Sequence, residues 1–311
     1  MRTTRMRIAA AALALFGVLA FVGCGNSNPL GNSDQSAGSS HSAGSKTIVV
    51  GSQDYYSNEI IAEIYAQGLE NAGYKVDRQF RIGQREVYLP EVEAGKIDLF
   101  PEYTGNLLQY WKPGTTARTS DAVYRELVKA TPDGLKVLDQ AQATDQDSYT
   151  VTQAFADKWK LSTIGDLAKV TDPMTLGGNS ELETRPYGPK GLQKTYGVKV
   201  AFTPIEDQGG PLTIKALTGN KIQLANVSTA SPEITVNHLV SLKDPKGLFL
   251  ASNVVPLASK KLDGKAVNMI NKINAALTTD DLMAMNAQST EDQKSASQIA
   301  TAWLKEKKLV G

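Results

Sequence analysis

GKIDLFPEYTG, Gly95 to Gly105, is the stretch on which the fold turns. A short apolar run, Ile97 to Phe100, ends on Pro101 and Glu102 and then delivers Tyr103. TGNKIQLANVSTA, Thr218 to Ala230, repeats its order more loosely: a helix end, Gly, Lys-Ile-polar-Leu, then a polar loop. Upstream of each copy an apolar strand ends in glycine and serine ahead of a helix, IVVGS at Ile48 to Ser52 and MTLGGNS at Met174 to Ser180. Gly51 to Lys96 and Gly178 to Lys221 are nearly equal intervals. The pairing predicts two α/β lobes of similar plan, each presenting strand-end loops to a shared cleft.

A chain of 311 residues, 41% hydrophobic and 21% charged, can bury a large core as one domain or two lobes. Its first residues are set apart from that core. Arg2, Arg5 and Arg7 precede an apolar or small run, Ile8 to Val22, too short to span a bilayer comfortably, so residues 1–23 read as a signal peptide. The sole cysteine, Cys24, follows at once in Phe21-Val22-Gly23-Cys24, which resembles the lipobox of bacterial lipoproteins. An exported chain with one cysteine at that place has no disulfide use for it. Lipidation of Cys24 is therefore expected, holding the body on the extracytoplasmic face of a bacterial membrane; the alternative is a signal peptide cut elsewhere, leaving a chance thiol. Residues 24–45, rich in Ser, Gly and Asn and including His41, read as a flexible tether. Loss of the three signal arginines turns the formal charge of +1 slightly negative, leaving no basic excess for nucleic acid.

The body opens with strand Thr47–Val50, turned at Gly51-Ser52, and a helix capped by Ser57 or Asn58 whose stripe of Ile60, Ile61, Ile64, Tyr65 and Leu69 runs to Asn71-Ala72-Gly73. Strand Lys75–Arg81, helix Glu86–Glu93 and the opening stretch complete a strand-helix-strand-helix-strand series. Helices from Asn106 and from Ser120, then strand Leu135–Gln140, lead to a polar segment, Ala141 to Ser148, where the first crossover is placed. Lobe 1 is then 46–145 with 250–311, and lobe 2 is 146–249. The second lobe reads as helices Phe155–Trp159 and Ile164–Lys169, strand Met174–Leu176, a helix opening near Arg185 and strand Lys199–Thr203. Helix Pro211–Leu217 and strands Ile222–Leu224 and Leu239–Leu242 follow. GLFLASNVVPL, Gly247 to Leu257, is the return crossover. Thr279 is expected to cap one C-terminal helix. Ser289 or Thr290 is expected to cap the last, striped by Ala296, Ile299, Ala300, Trp303 and Leu304.

Catalytic sets are hard to find. His238 is the only histidine in the body, no Gly-x-Ser-x-Gly elbow occurs, and no His/Cys cluster or phosphate-binding loop is written in the chain. Glu181 and Glu183 suit a helix start. The reading is a binding protein without enzymatic activity or cofactor that closes around a small molecule. An exported hydrolase built on His238, or a sensory ectodomain on the same scaffold, are the competing classes.

VGSQDYYSNEIIAEIYAQGLENAGYKV from Val50, the GKIDLFPEYTG stretch, and LGGNSELETRPYG from Leu176 followed by GLQKTYGVK resemble the substrate-binding lipoproteins of osmoprotectant (glycine betaine, choline, carnitine) ABC importers, from about Lys46 to the C-terminus. The resemblance implies a type II periplasmic-binding fold, a small-molecule solute, permease and ATPase partners, and a monomer. Members of that family hold a quaternary ammonium among tyrosine rings, whose faces attract a cation that cannot donate hydrogen bonds. By motif this implies cage roles for Tyr103 and Tyr149, a carboxylate clamp at Arg185 and an orienting role for Glu181. Where the family's other two tyrosines would fall stand Ile214 and Val227; Gln53 replaces a frequent lysine and Asn106 a threonine. Two lost cation–π contacts, each worth about 0.5–2 kcal/mol, weaken trimethylammonium binding by roughly one to three powers of ten. Two ligand readings follow. Either Tyr55 or Tyr56 rebuilds the cage for a betaine-type solute, or a flatter hydroxylated aromatic molecule stacks on Tyr103 or Tyr149 against Ile214 and Val227, with Gln53, Asn106 and Ser228 supplying neutral hydrogen bonds.

Overall fold

The computed structural model describes residues 47–310, so the leader, Cys24, the tether and His41 lie outside the described residues. Two five-stranded sheets organise the rest. Strands β1 (Thr47–Gly51), β2 (Lys75–Gln79), β3 (Leu99–Tyr103) and β4 (Leu135–Val137) form the first sheet with β10 (Val254–Ser259), in the order β2-β1-β3-β10-β4. The second contains β5 (Asp147–Thr152), β6 (Thr175–Gly178), β7 (Ala201–Pro204), β8 (Leu224–Ser228) and β9 (Leu239–Ser241), in the order β7-β6-β8-β5-β9. In each, three parallel strands are followed by one antiparallel to its neighbours. That fourth strand is the one the chain enters when it changes sheet: β5 after leaving β4, and β10 after leaving β9.

The repeat read in the sequence is present, displaced. Both Lys-Ile segments lead into their strands rather than belong to them, so β3 begins at Leu99 and β8 at Leu224. The isoleucines are buried anchors: Ile222 fills the space that a Cβ on Gly177 would need, and Ile97, with the Phe100 ring, does so at Gly51. For the same reason the segment expected as strand Ile222–Leu224 is mostly lead-in.

Helix α1 (Tyr56–Asn71) buries the expected stripe against β1 and β3. Neither Ser57 nor Asn58 caps it; Asn58 instead accepts from the Gln53 N–H at 2.8 Å and donates to the Pro101 carbonyl at 2.9 Å, tying two strand-end loops together. Helices α2 (Arg85–Glu93), α3 (Thr104–Trp111) and α4 (Ser120–Ala130) cover the other face of the first sheet around Tyr88, Phe100, Leu107 and Leu257. The second sheet carries α5 (Gln153–Trp159), α6 (Pro189–Tyr196), α7 (Pro211–Thr218) and α8 (Glu233–Val236). Arg185 does not open a helix: a 3₁₀ turn, Ser180–Glu183, precedes it and α6 starts at Pro189, because Pro186 and Pro189 disfavour helical backbone at the residues before them.

The C-terminal helices α9 (Gly264–Ala276), α10 (Thr279–Thr290) and α11 (Ala296–Glu306) return to the first sheet. Thr278, not Thr279, caps α10, since Asp281 then stands three residues on and reciprocates. Ser295 and Gln298 make the same box for α11, correcting Ser289 and Thr290. Ile299, Ala300, Trp303 and Leu304 join the core shared with α1, and Tyr65 donates to Asn274 Oδ1 at 2.6 Å to join α1 to α9. No helix among the described residues is long and apolar enough to cross a membrane.

Candidate functional site

Strand ends from both sheets converge on one cavity of about 50 Å³, lined from the first by Gln53, Tyr55, Gln84, Arg85, Tyr103 and Asn106, and from the second chiefly by Asp147, Arg185, Gln208, Asn226 and Ser228. Asp145, on the segment leading into β5, completes it. Glu102 fixes the first wall. Its carboxylate, 0% exposed, accepts from Arg85 Nε at 2.8 Å and Nη2 at 2.9 Å, from the Tyr88 hydroxyl, and from the Tyr103 backbone N–H at 2.9 Å. Burial works against the Arg85 charge, but the paired carboxylate outweighs it and holds the guanidinium pKa above its usual value. Tyr103 is thus held by its backbone as β3 ends, and the Tyr55 hydroxyl donates to the Tyr103 hydroxyl at 2.5 Å. Desolvation raises the pKa of both phenols, so both stay neutral.

Across the cavity the polar groups reach each other directly. Arg185 Nη2 donates to Gln84 Oε1 at 3.1 Å and to Glu86 Oε2 at 3.1 Å, and Gln208 Nε2 donates to Asp54 Oδ1 at 3.2 Å. Asn106 Nδ2 donates to Asp147 Oδ2 at 2.5 Å and to the Tyr187 hydroxyl at 3.1 Å, while its Oδ1 accepts from the Ser252 hydroxyl at 2.8 Å. The two sheets are latched by these bonds.

Asp145 is 6% exposed. Its Oδ1 accepts from the Ser228 hydroxyl and, at 3.3 Å, from the Ala230 N–H. Oδ2 meets no donor in hydrogen-bonding geometry, although the Ser57 and Tyr103 hydroxyls stand near enough to favour its charge. Desolvation dominates, the Ala230 N–H opposes it, nearby Asp147 adds to it, and the carboxyl is pushed up to about 7. Gln53, 5% exposed, likewise has a buried Nε2 with no acceptor.

Of the residues expected from sequence, Gln53, Tyr103, Asn106, Arg185 and Ser228 meet here. Tyr149, Ile214, Val227 and Glu181 do not. Tyr149 points into the second lobe, its hydroxyl donating to the Tyr187 carbonyl and its ring edge-on to Phe249 at 5.0 Å. Ile214 and Val227 pack with Leu217, Ile222, Ala225 and Leu239 in a separate core, since alternation along β8 turns Val227 away from the face that Asn226 and Ser228 present. No stack against them is available to a flat ligand. Glu181 acts through its backbone, its carbonyl accepting the Arg185 N–H at 3.2 Å. His238 sits at positive φ in the turn before β9, away from the cavity lining.

Sequence reasoning missed Gln84, Arg85, Asp145, Asp147, Gln208 and Asn226. Asp145 and Asp147 belong to the polar segment read only as a crossover; two acids bracketing Gln146 beside a strand that changes sheet were the available signal.

Comparison with known proteins gives this geometry its context. Residues 46–306 match the family model described as the substrate binding domain of ABC-type glycine betaine transport systems. The chain is 22% identical over 275 residues, 84% of its length and 90% of the relative's, to the glycine betaine-binding protein YehZ of Escherichia coli (strain K12). It is 25% identical over 272 residues, 83% and 86% of the two chains, to the carnitine transport binding protein OpuCC of Listeria monocytogenes serotype 1/2a (strain 10403S). Its fold is similar, with a TM-score of 0.68 and 20% identity over 84% of this chain and 99% of the other, to a crystal structure of a glycine betaine/carnitine/choline ABC transporter protein. The chain therefore belongs to the family of substrate-binding domains of ABC-type glycine betaine transport systems, built on the two-lobed type II periplasmic-binding fold.

Proposed function

We propose that the protein is the extracytoplasmic binding component of an ABC importer, capturing a small osmoprotectant-type solute, glycine betaine, choline or a related molecule, by closure of the two lobes and presenting it to a permease driven by an ATPase. The observation that carries this reading is the polar cavity shut by direct bonds between the two sheets, Arg185 to Gln84, Gln208 to Asp54 and Asn106 to Asp147. Bonds of that kind form and break as two lobes rotate about their connections, here the segments entering β5 and β10. Residues 46–145 with 250–311 act as one lobe and 146–249 as the other. Lipid on Cys24 holds the monomeric body at the membrane. Tyr55 and Tyr103 are the only aromatic rings in the lining among the described residues, so the cage is smaller than four tyrosines, and hydrogen bonds carry more of the recognition.

Calorimetry on the purified protein with glycine betaine, carnitine, choline and a panel of phenols tests the reading, together with small-angle scattering. A saturable heat from one of the first three, with a more compact particle, supports it. Heat from the phenols alone assigns the flatter ligand class, and no heat from any of them removes the proposal.

A further inference from the structure

The charges around the cavity do not balance. Its two guanidinium groups already have carboxylate partners, Arg85 in the buried pair with Glu102 and Arg185 with Glu86. Its two lining carboxylates, Asp145 and Asp147, have no cationic partner among the described residues, and both act on the same phenol, Tyr55, raising its pKa after desolvation and Tyr103 have done so. A carboxylate-bearing solute entering this cavity meets the acidic pair Asp145 and Asp147 and an arginine engaged elsewhere. A cation meets two acceptors.

Hydrogen-bonding capacity says what kind of cation. Asp145 Oδ2 is buried, with the Ser57 and Tyr103 hydroxyls near it but neither in hydrogen-bonding geometry, so a well-placed N–H or O–H is still wanted there, and Gln53 Nε2, buried in the same lining, needs an acceptor. A trimethylammonium offers the carboxylate charge but no proton, and leaves Oδ2 desolvated with only the poorly placed Ser57 and Tyr103 hydroxyls, a cost set against the contact it makes. A primary or secondary ammonium fills that place, and a hydroxyl or carbonyl a few bonds away meets Gln53. Two tyrosine rings in place of four weaken the pull on a fully methylated head.

We infer that the site selects a small organic cation that retains N–H donors, its ammonium set against Asp145 and Asp147 and a neighbouring oxygen against Gln53, rather than a fully methylated betaine. This rests on the solute-binding reading above.

Ethanolamine, N,N-dimethylethanolamine and choline share one hydroxyl and differ only in N–H count, so titrating the purified protein with each isolates the point. Dissociation constants should rise from ethanolamine to choline by about tenfold or more, the loss expected for a charge-assisted hydrogen bond. Asp145→Asn should abolish that order; Asp147→Asn should weaken all three. Choline binding as tightly as ethanolamine, or more tightly, overturns the inference while leaving solute capture standing. Failure of all three overturns it as well, and if glycine betaine, carnitine and the phenols also give no heat the solute-binding reading falls with it. Should Asp145→Asn not fold, the methylation order in the unaltered protein decides alone.

Discussion

Asp145 is where folding and binding pull against each other. Its carboxyl is raised to about 7 in the folded chain against an ordinary value near 3.9, so the folded state binds that proton more tightly than the unfolded one. Stability is therefore lost as pH rises from the unfolded value through 7 and is level above it, by an amount on the order of a few kcal/mol. The groups facing it are Asp147, Tyr55, Tyr56 and Tyr103, and the phenols remain neutral across that window, Tyr56 being pushed up to about 12 by burial. Thermal denaturation of the ligand-free protein should show a falling midpoint from pH 5 to pH 8, and Asp145→Asn should flatten that slope. An unchanged slope in the variant would assign it elsewhere. At this scale the sequence was partly legible. Tyr103 and Arg185 announce themselves because each belongs to a motif, Tyr103 at the end of β3 and Arg185 in the loop ahead of α6. Asp145 looks like any solvated acid until burial removes its water, and burial is not written in neighbouring residues. Tyr149 stands on the expected strand, but the face its side chain takes depends on register, which neighbouring residues do not fix.

Elements were the most readable level. The paired glycine-strand-helix series predicted both sheets, and the errors were shifts of a few residues where Lys-Ile leads in, where prolines delay α6, and where the capping boxes choose Thr278 and Ser295. One glycine of the opening motif has a reason that only packing shows. A Cβ on Gly105 would lie 2.6 Å from Ser252 Oγ and 2.8 Å from the Ala251 carbonyl, because the segment returning to the first sheet lies directly on the start of α3. Gly105 also donates its N–H to that hydroxyl at 3.1 Å, and the hydroxyl in turn donates to Asn106. Gly105→Ala should therefore cost about 1–3 kcal/mol in denaturant unfolding and weaken solute binding besides, as Asn106 is displaced. A variant of unchanged stability would mean that this contact yields freely.

For the whole molecule, the contact between the two sheets across the cavity rests on a few exposed or half-buried bonds. Arg185 supplies three of the donors that cross to Gln84 and Glu86. Each such bond is worth about 1 kcal/mol or less where water competes, so the contact between the two sheets has only a modest margin. Arg185→Ala should enlarge the ligand-free particle in small-angle scattering and reduce apparent solute affinity by roughly tenfold, because a smaller fraction of molecules is preformed. Affinity lost with no change in size would make Arg185 a ligand contact rather than a latch.

The exchange of β5 and β10 between sheets also sets an order of assembly. All strands of the second sheet lie within Asp147–Ser241, whereas β4 finds its only sheet neighbour in β10, which is the last strand made. The half of the molecule that starts first must wait for the half that starts later, its pairings being the more distant in sequence and the slower to close. A chain threaded out of a cell from its N-terminus would thus complete its second lobe before its first. Pulse-labelled hydrogen exchange during refolding should find the Leu176 and Leu224 amides protected ahead of Leu257, and the reverse order would refute this.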